Sequence, residues 1–393
     1  MSGPFSKTPL KFLVLWLCTT IFFCYCQNLN NTLKSIEKFA LEKVLQDAAP
    51  IFGDYKLENS NTSRWMAKYP DKTMLVHMNL PGAHDSQTWN YSSDTRKSLK
   101  PVTRLGGLFV APAKFYRCQE ISLLSMLDLG IRVMDLRIAL DVTGSSLVFW
   151  HAQALQSQTA TLESVLFAFY KWLDDHPSET IMISLKYEKR TTIFGRNNEA
   201  FQYALYKVLT SPTARHYILP IKNELGTLGN ARGKIILLRR FELDLLPSNY
   251  CNSVPGVIFP PSKWEDNGKN FTIIYNSTNN HVARIQDHYH ISGRYRFKSN
   301  IDDTISTKFN EAMVSHNDDL IWSFTSAEKN LNLRPLHPKL IALGSKGNNG
   351  VNHLITQFFQ GLKGTKSRLG IVMFDFLDKP GEMVEHFLEI QSP

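Results

Sequence analysis

The sequence predicts an α/β fold: an irregular TIM (β/α) barrel forming a single catalytic domain. Three observations point there. Short apolar runs alternate with helix-period segments from about residue 71 to the C-terminus. The runs are near-continuously apolar, as strands covered on both faces of a parallel sheet are. Nearly every run ends in a charged or hydrogen-bonding residue, and strand carboxyl ends are where barrel enzymes keep their chemistry. Several crossovers are weak, hence the irregularity.

The 393 residues suffice for one domain of barrel size, with no internal repeat. Residues 1–26 are set apart. Lys7 and Lys11 precede an apolar stretch from Phe12 to about Cys26, and polar Gln27 and Asn28 follow, the pattern of a cleaved secretory signal. An uncleaved anchor is the competing reading, but the stretch is short for a membrane span. Cleavage removes Cys18, Cys24 and Cys26 and leaves Cys118 and Cys251. A disulfide and two buried thiols are equally open for that pair. No Cys/His group has zinc-site spacing. Sequons at Asn30, Asn61, Asn90, Asn270 and Asn276 fit a glycosylated secreted chain and would place those segments on the surface.

Residues 27–70 read as a lead-in outside the main domain, 71–393, with one helical patch at 33–45. The first strand is expected at 74–80, broken by Pro81 and Gly82, so that His84 and Asp85 lie just past it. Residues 86–115 form a long polar connection. A helix at 122–129 ends at Gly130, the expected C-cap. Strands follow at 131–138 and 146–150, then a helix at 162–173 stopped near His176 and Pro177. A strand at 180–186, a helix at 200–209 and a strand at 234–241 come next, with loop from 245 to 280. The remaining units are strand 282–289, helix 302–314, strand 320–325, helix 351–362, strand 369–376 and helix 383–390.

The net charge of +9 suggests an anionic partner. The basic residues are spread along the chain rather than gathered, which argues against nucleic acid. Anionic lipid headgroups or cell-wall polymers suit a secreted basic protein better, beside the plain reading of a soluble basic surface.

His84 and Asp85 follow the first strand, Asp135 and Arg137 lie on the second, and His151 ends the third. Lys186 and Glu188 end the fourth, Arg239 and Arg240 the next, Asp287 and Tyr289 the one after, and Asp375 the last. Converging charges are costly to assemble, which favours a site. Singly, Asp135 with Arg137 and Lys186 with Glu188 read equally well as same-face strand pairs.

These residues carry a resemblance. The chain resembles the bacterial-type phosphatidylinositol-specific phospholipase C family from about Leu75 onward. The motifs are Pro81-Gly-Ala-His-Asp-Ser86, Gly130-Ile-Arg-Val-Met-Asp-Leu-Arg137, His176-Pro-Ser-Glu-Thr-Ile-Met-Ile-Ser-Leu-Lys186, Ala231-Arg-Gly-Lys-Ile-Ile-Leu-Leu-Arg-Arg240, Ile285-Gln-Asp-His-Tyr289 and Val372-Met-Phe-Asp375. The resemblance implies an irregular TIM barrel. It implies cleavage of phosphatidylinositol to diacylglycerol and inositol 1,2-cyclic phosphate, with plain and glycosylated lipids both open as substrates. His84 would be the general base and His151 the general acid. Arg137 would bind the phosphate, Asp375 would orient His84, Asp85 would support His151, and Asp135 would fix Arg137. Lys186, Arg240, Asp287 and Tyr289 would bind the inositol hydroxyls. An Arg stands where calcium-dependent relatives gather oxygen ligands, so no metal or other cofactor is expected.

By the same resemblance the partners are a phospholipid surface and its headgroup, with no nucleic acid, and the protein is expected to be a monomer. Signal and sequons point to a secreted eukaryotic member, fungal among the candidates, in the secretory lumen or outside the cell and peripherally on membrane. One departure stands out: many members carry Gly after the second His, and this chain has Ala152. Two other functions remain as alternatives: a catalytically inactive phosphoinositide-binding barrel, and a metal-dependent secreted glycerophosphodiesterase. The first would lack an imidazole or the Arg, and the second would need a carboxylate cluster after the first strand.

Overall fold

The first barrel strand contains the Pro-Gly pair expected to break it. In the computed structural model β1 is Leu80–Ala83. Gly82 is there because of close approach: a Cβ on it would stand 2.3 Å from the Met373 Sδ. The apolar run before it is no strand. Leu75–His77 is a single 3-10 turn, and Leu75, Val76 and Met78 are buried in the core. The expected strand at 74–80 is corrected accordingly. An apolar run reports burial, and a buried turn satisfies it as well as a strand.

The structure describes residues 9–105, 109–290, 309–310, 313, 318–328, 336–345 and 347–391. The chain divides into two compact units, residues 1–46 and 47–393. The helix α1, Pro9–Phe52, is far longer than the expected patch at 33–45. Among the described residues no helix is long and apolar enough to cross a membrane.

The second unit is a strand–helix barrel. Its strands are β1, β2 (Val133–Leu140), β3 (Leu147–His151), β4 (Ala154–Leu155), β5 (Ile181–Tyr187), β6 (Ile235–Arg240) and β7 (Val257–Ile258). They continue with β8 (Phe271–Asn276), β9 (His281–Gln286), β10 (Leu320–Phe324), the short ribbon β11 (Gly344–Ser345) and β12 (Asn348–Asn349), and β13 (Ile371–Phe374). The order is β7-β6-β5-β2-β1-β13-β10-β9-β8, and every neighbour pair from β7 to β9 is parallel. Among the described residues the barrel stays open between β7 and β8, so it is an irregular TIM barrel, as expected.

Two strands depart from the parallel pattern. β3 folds back antiparallel on β2, and β8 pairs antiparallel with β9 inside the stretch expected as loop. The 86–115 connection also holds a helix, α2 (Ser93–Leu105). α3 (Leu123–Leu129) starts where Ser122 Oγ accepts from the Ser125 amide and stops at Gly130, whose φ of 113° needs glycine. α4 (Leu162–Asp175) carries a capping box from Thr161 and Ser164. α5 is Glu199–Leu209. The helix expected at 302–314 falls on residues of which only 309, 310 and 313 are described.

Residues 47–70, expected outside the barrel, belong to its compact unit. Trp65 and Met66 are core residues. Arg132 is fully buried, 2.6 Å from Glu179, with the Trp65 and Trp172 rings beside its guanidinium. Cys118 and Cys251 are both free thiols. Asn61, Asn90 and Asn270 are exposed. Asn276 is only 5% exposed, and its side chain accepts from the Thr278 and Asn279 amides, which corrects its placing on the surface.

Candidate active site

The register of β1 on β13 sets the centre of the site. Ala83 is opposite Phe374, so the next residues, His84 and Asp375, emerge side by side at the strand carboxyl ends. The Nδ1–H of His84 donates to Asp375 Oδ1 at 2.8 Å. On its other side β1 meets β2, which places Asp135 and Arg137 on one face beside His84. Arg137 Nη2 lies 2.8 Å from His84 Nε2. Arg137 Nε is 2.6 Å from Asp85, and Nη2 is 3.2 Å from Asp135.

Asp85 sits between the two imidazoles. Its Oδ2 is 3.3 Å from His84 Nε2 and 3.5 Å from His151 Nε2. The expectation that it serves the His151 end is therefore incomplete: it also faces His84 and Arg137. His151 is carried by the end of β3, and its Nδ1–H donates to the Tyr116 carbonyl at 2.8 Å. Asp85, Ala152 and Phe376 have φ of 42°, 46° and 46°. Each directly follows His84, His151 or Asp375, so backbone strain is stored at all three turns.

The electrostatics follow from burial. Burial alone would lower the His84 pKa. Asp85 and Asp375 outweigh it and raise the pKa to about 9. Burial works against Asp85 and Asp135 too, and the Arg137 charge wins, holding both below the usual carboxylate range. Burial lifts Asp375 and pushes the Cys118 thiol well up. Burial and the Arg137 charge together lower the Lys186 pKa.

The four expected inositol-binding residues do not all group together. Arg240 is buried 3.4 Å from Asp135 and 3.9 Å from Asp287. Lys186 faces Glu188 at 3.9 Å. Tyr289 lies on the rim, and its hydroxyl donates to Asp266 at 2.6 Å.

Sequence reasoning missed the residues that hold these in place. Trp264 stacks on the Arg240 guanidinium at 3.6 Å and donates to Asp287 at 2.8 Å. Gln119 donates to the His84 and Phe374 carbonyls, clamping β1 to β13. The only signal of Trp264 and Gln119 in the sequence is an aromatic or polar residue in a loop, which is common everywhere. Glu188, read from the sequence as a strand-end charge, accepts the Ala152 amide at 2.7 Å.

Among the described residues three groups of side chains could offer a cation three ligands. They are His84 with Cys118 and Asp375, Asp85 with Cys118 and His151, and His84 with Asp85 and Asp135, each with atoms within 4.8 Å. The donor chemistry fits a divalent ion poorly. Arg137 already neutralises Asp85 and Asp135, and burial keeps Cys118 a neutral thiol rather than a thiolate.

The family model "Phosphatidylinositol-specific phospholipase C, X domain" matches residues 113–241. The 1-phosphatidylinositol phosphodiesterase of Listeria monocytogenes is 26% identical over 83% of this chain and 87% of its own length. Residues 113–241 thus match the phosphatidylinositol-specific phospholipase C X domain, and over most of its length the chain is similar to the Listeria monocytogenes enzyme.

The family match holds Asp135, Arg137, His151, Lys186 and Arg240. His84, Asp85, Asp287, Tyr289 and Asp375 lie outside it, and the barrel brings most of them to the same place. The PI-PLC X domain-containing protein 1 of Danio rerio is 32% identical over 31% of this chain and 42% of its own length. A phosphatidylinositol-specific phospholipase C from Staphylococcus aureus superposes with a TM-score of 0.64 at 18% identity, over 85% of this chain and 98% of that one. The Listeria monocytogenes phospholipase structure gives a TM-score of 0.58 at 24% identity, over 84% and 98%. At those identities the structural likeness speaks for the fold alone.

Proposed function

We propose that this chain cleaves phosphatidylinositol to diacylglycerol and inositol 1,2-cyclic phosphate. The observation that carries the reading is two imidazoles flanking one carboxylate, with a guanidinium against the same group. His84, neutral and with its proton on Nδ1, takes the proton of the inositol 2-hydroxyl at Nε2. Asp375 holds that tautomer. The freed oxygen attacks phosphorus as the bond to the diacylglycerol oxygen breaks. His151, its Nδ1–H tied to the Tyr116 carbonyl, gives the leaving oxygen a proton from Nε2. Arg137 faces the charge that grows on the phosphate, and Asp135 and Asp85 fix its plane. Arg240 and Asp287, braced by Trp264, and Lys186 bind the ring hydroxyls, with Tyr289 at the rim.

The fixed Arg137 charge stands where a metal ion would be needed, so the reaction is metal-independent. The partner is the surface of a phospholipid membrane, met by a monomer with no nucleic acid involved. The catalytic body is the compact unit of residues 47–393, and the 1–26 segment directs the chain into the secretory pathway. The residues of a working acid–base pair are all present, which disfavours an inactive binding barrel. A metal-dependent glycerophosphodiesterase would need the carboxylates that Arg137 occupies.

Phosphorus NMR of phosphatidylinositol vesicles with the full chain in excess chelator tests the reading, with His84→Ala alongside. A cyclic phosphate signal for wild type that vanishes in the variant supports it. Turnover only with added calcium overturns metal independence. No turnover in either condition overturns the reaction.

A further inference from the structure

We propose that two segments, 109–117 and 188–196, form a lip that seats the protein on an anionic lipid surface on the His151 side of the barrel mouth. This rests on the reaction proposed above. His151 must reach the oxygen that leaves with diacylglycerol, whose acyl chains stay in the bilayer. The bilayer therefore lies beyond His151, away from Arg240 and Asp287, which face the inositol.

Both segments grip the His151 turn. The Tyr116 carbonyl accepts from His151 Nδ1 at 2.8 Å, and Glu188 accepts the Ala152 amide at 2.7 Å. Each also carries one large apolar side chain open to water: Phe109 is 86% exposed and Ile193 60% exposed. An aromatic ring at such a place suits the headgroup layer. Apart from Glu188, whose carboxylate takes the Ala152 amide, the charges in the two segments are basic: Lys114 and Arg117 in the first, with Arg117 paired to Glu120 at 3.1 Å, and Lys189, Arg190 and Arg196 in the second. Basic residues beside exposed apolar ones draw a protein to anionic lipid and then anchor it. Because the anchors hang on the segments that hold His151, docking presents the general acid to the lipid side.

Co-sedimentation of the full-length Phe109→Ser/Ile193→Ser variant with phosphatidylcholine vesicles containing phosphatidylinositol tests this. We expect vesicle partitioning to fall roughly tenfold or more, while hydrolysis of water-soluble inositol 1,2-cyclic phosphate stays at the wild-type rate. Partitioning within about twofold of wild type overturns the lip. A wild-type protein that never turns over the cyclic phosphate overturns the reaction instead, and thermal unfolding then confirms that the variant is folded. In a second variant, Lys189→Glu/Arg190→Glu, added phosphatidylglycerol should no longer strengthen binding. An undiminished gain overturns the electrostatic part.

Discussion

Arg137 Nη2 stands 2.8 Å from Nε2 of His84. A guanidinium only donates, so this contact requires a neutral ring. The carboxylates pull the other way and raise the His84 pKa to about 9, against the effect of burial. The two states are alternatives. The cationic ring turns its Nε2–H to Asp85 at 3.3 Å, and the neutral ring accepts from Arg137.

One prediction concerns pH. The base form of the free protein builds up only as pH approaches about 9, so kcat/KM should still rise there. Asp85→Asn should move that limb to lower pH. Stability follows the opposite course. The folded pKa lies above the ordinary 6.5, so the charged ring's contribution is complete below pH 6.5 and lost as pH rises through about 9. NMR titration of the ring signals measures the first effect. Thermal unfolding of wild type and His84→Ala against pH measures the second. A ring that titrates near 6.5 would sink both.

Arg137→Lys should behave as a severe change. The guanidinium meets Asp85 and Asp135 from separate nitrogens while facing the phosphate site, and a single ammonium cannot do this. The expected loss in kcat is on the order of 10²–10³-fold. Single-turnover kinetics should show it in the chemical step, with vesicle binding unchanged.

Ala152→Gly should stabilise. Ala152 holds a φ of 46°, where a Cβ is strained. Relief of that strain, less the added freedom of the unfolded chain, is worth about 1 kcal/mol, or about 2 °C in Tm. Calorimetry decides it, and a lower Tm would mean that the Ala152 methyl group packs better than the strain suggests.

Glu179→Gln should destabilise by about 3–5 kcal/mol, because it leaves the fully buried Arg132 without its counter-charge. Urea unfolding measures the change. A loss below about 1 kcal/mol would show that the carbonyls of Ser63, Leu127 and Ile131 satisfy the guanidinium alone.

The sequence by itself determined the strand–helix alternation and the polar residues at strand ends, because burial on both faces and a charged terminus both leave a mark in local composition. The pairs on one strand, such as Asp135 with Arg137, were legible for the same reason: their spacing of two puts them on one face. Periodicity misplaced the first strand, because Leu75 and Val76 are as buried in a turn as in a sheet. It also missed that β3 turns back on β2, since an apolar run carries no direction. Tertiary structure alone decided what Asp85 does. Its place between two imidazoles depends on β1 meeting β13 across 291 residues of chain and on β3 reversing to bring His151 alongside. Register and strand direction arise from long-range backbone pairing, which no local stretch of side chains encodes.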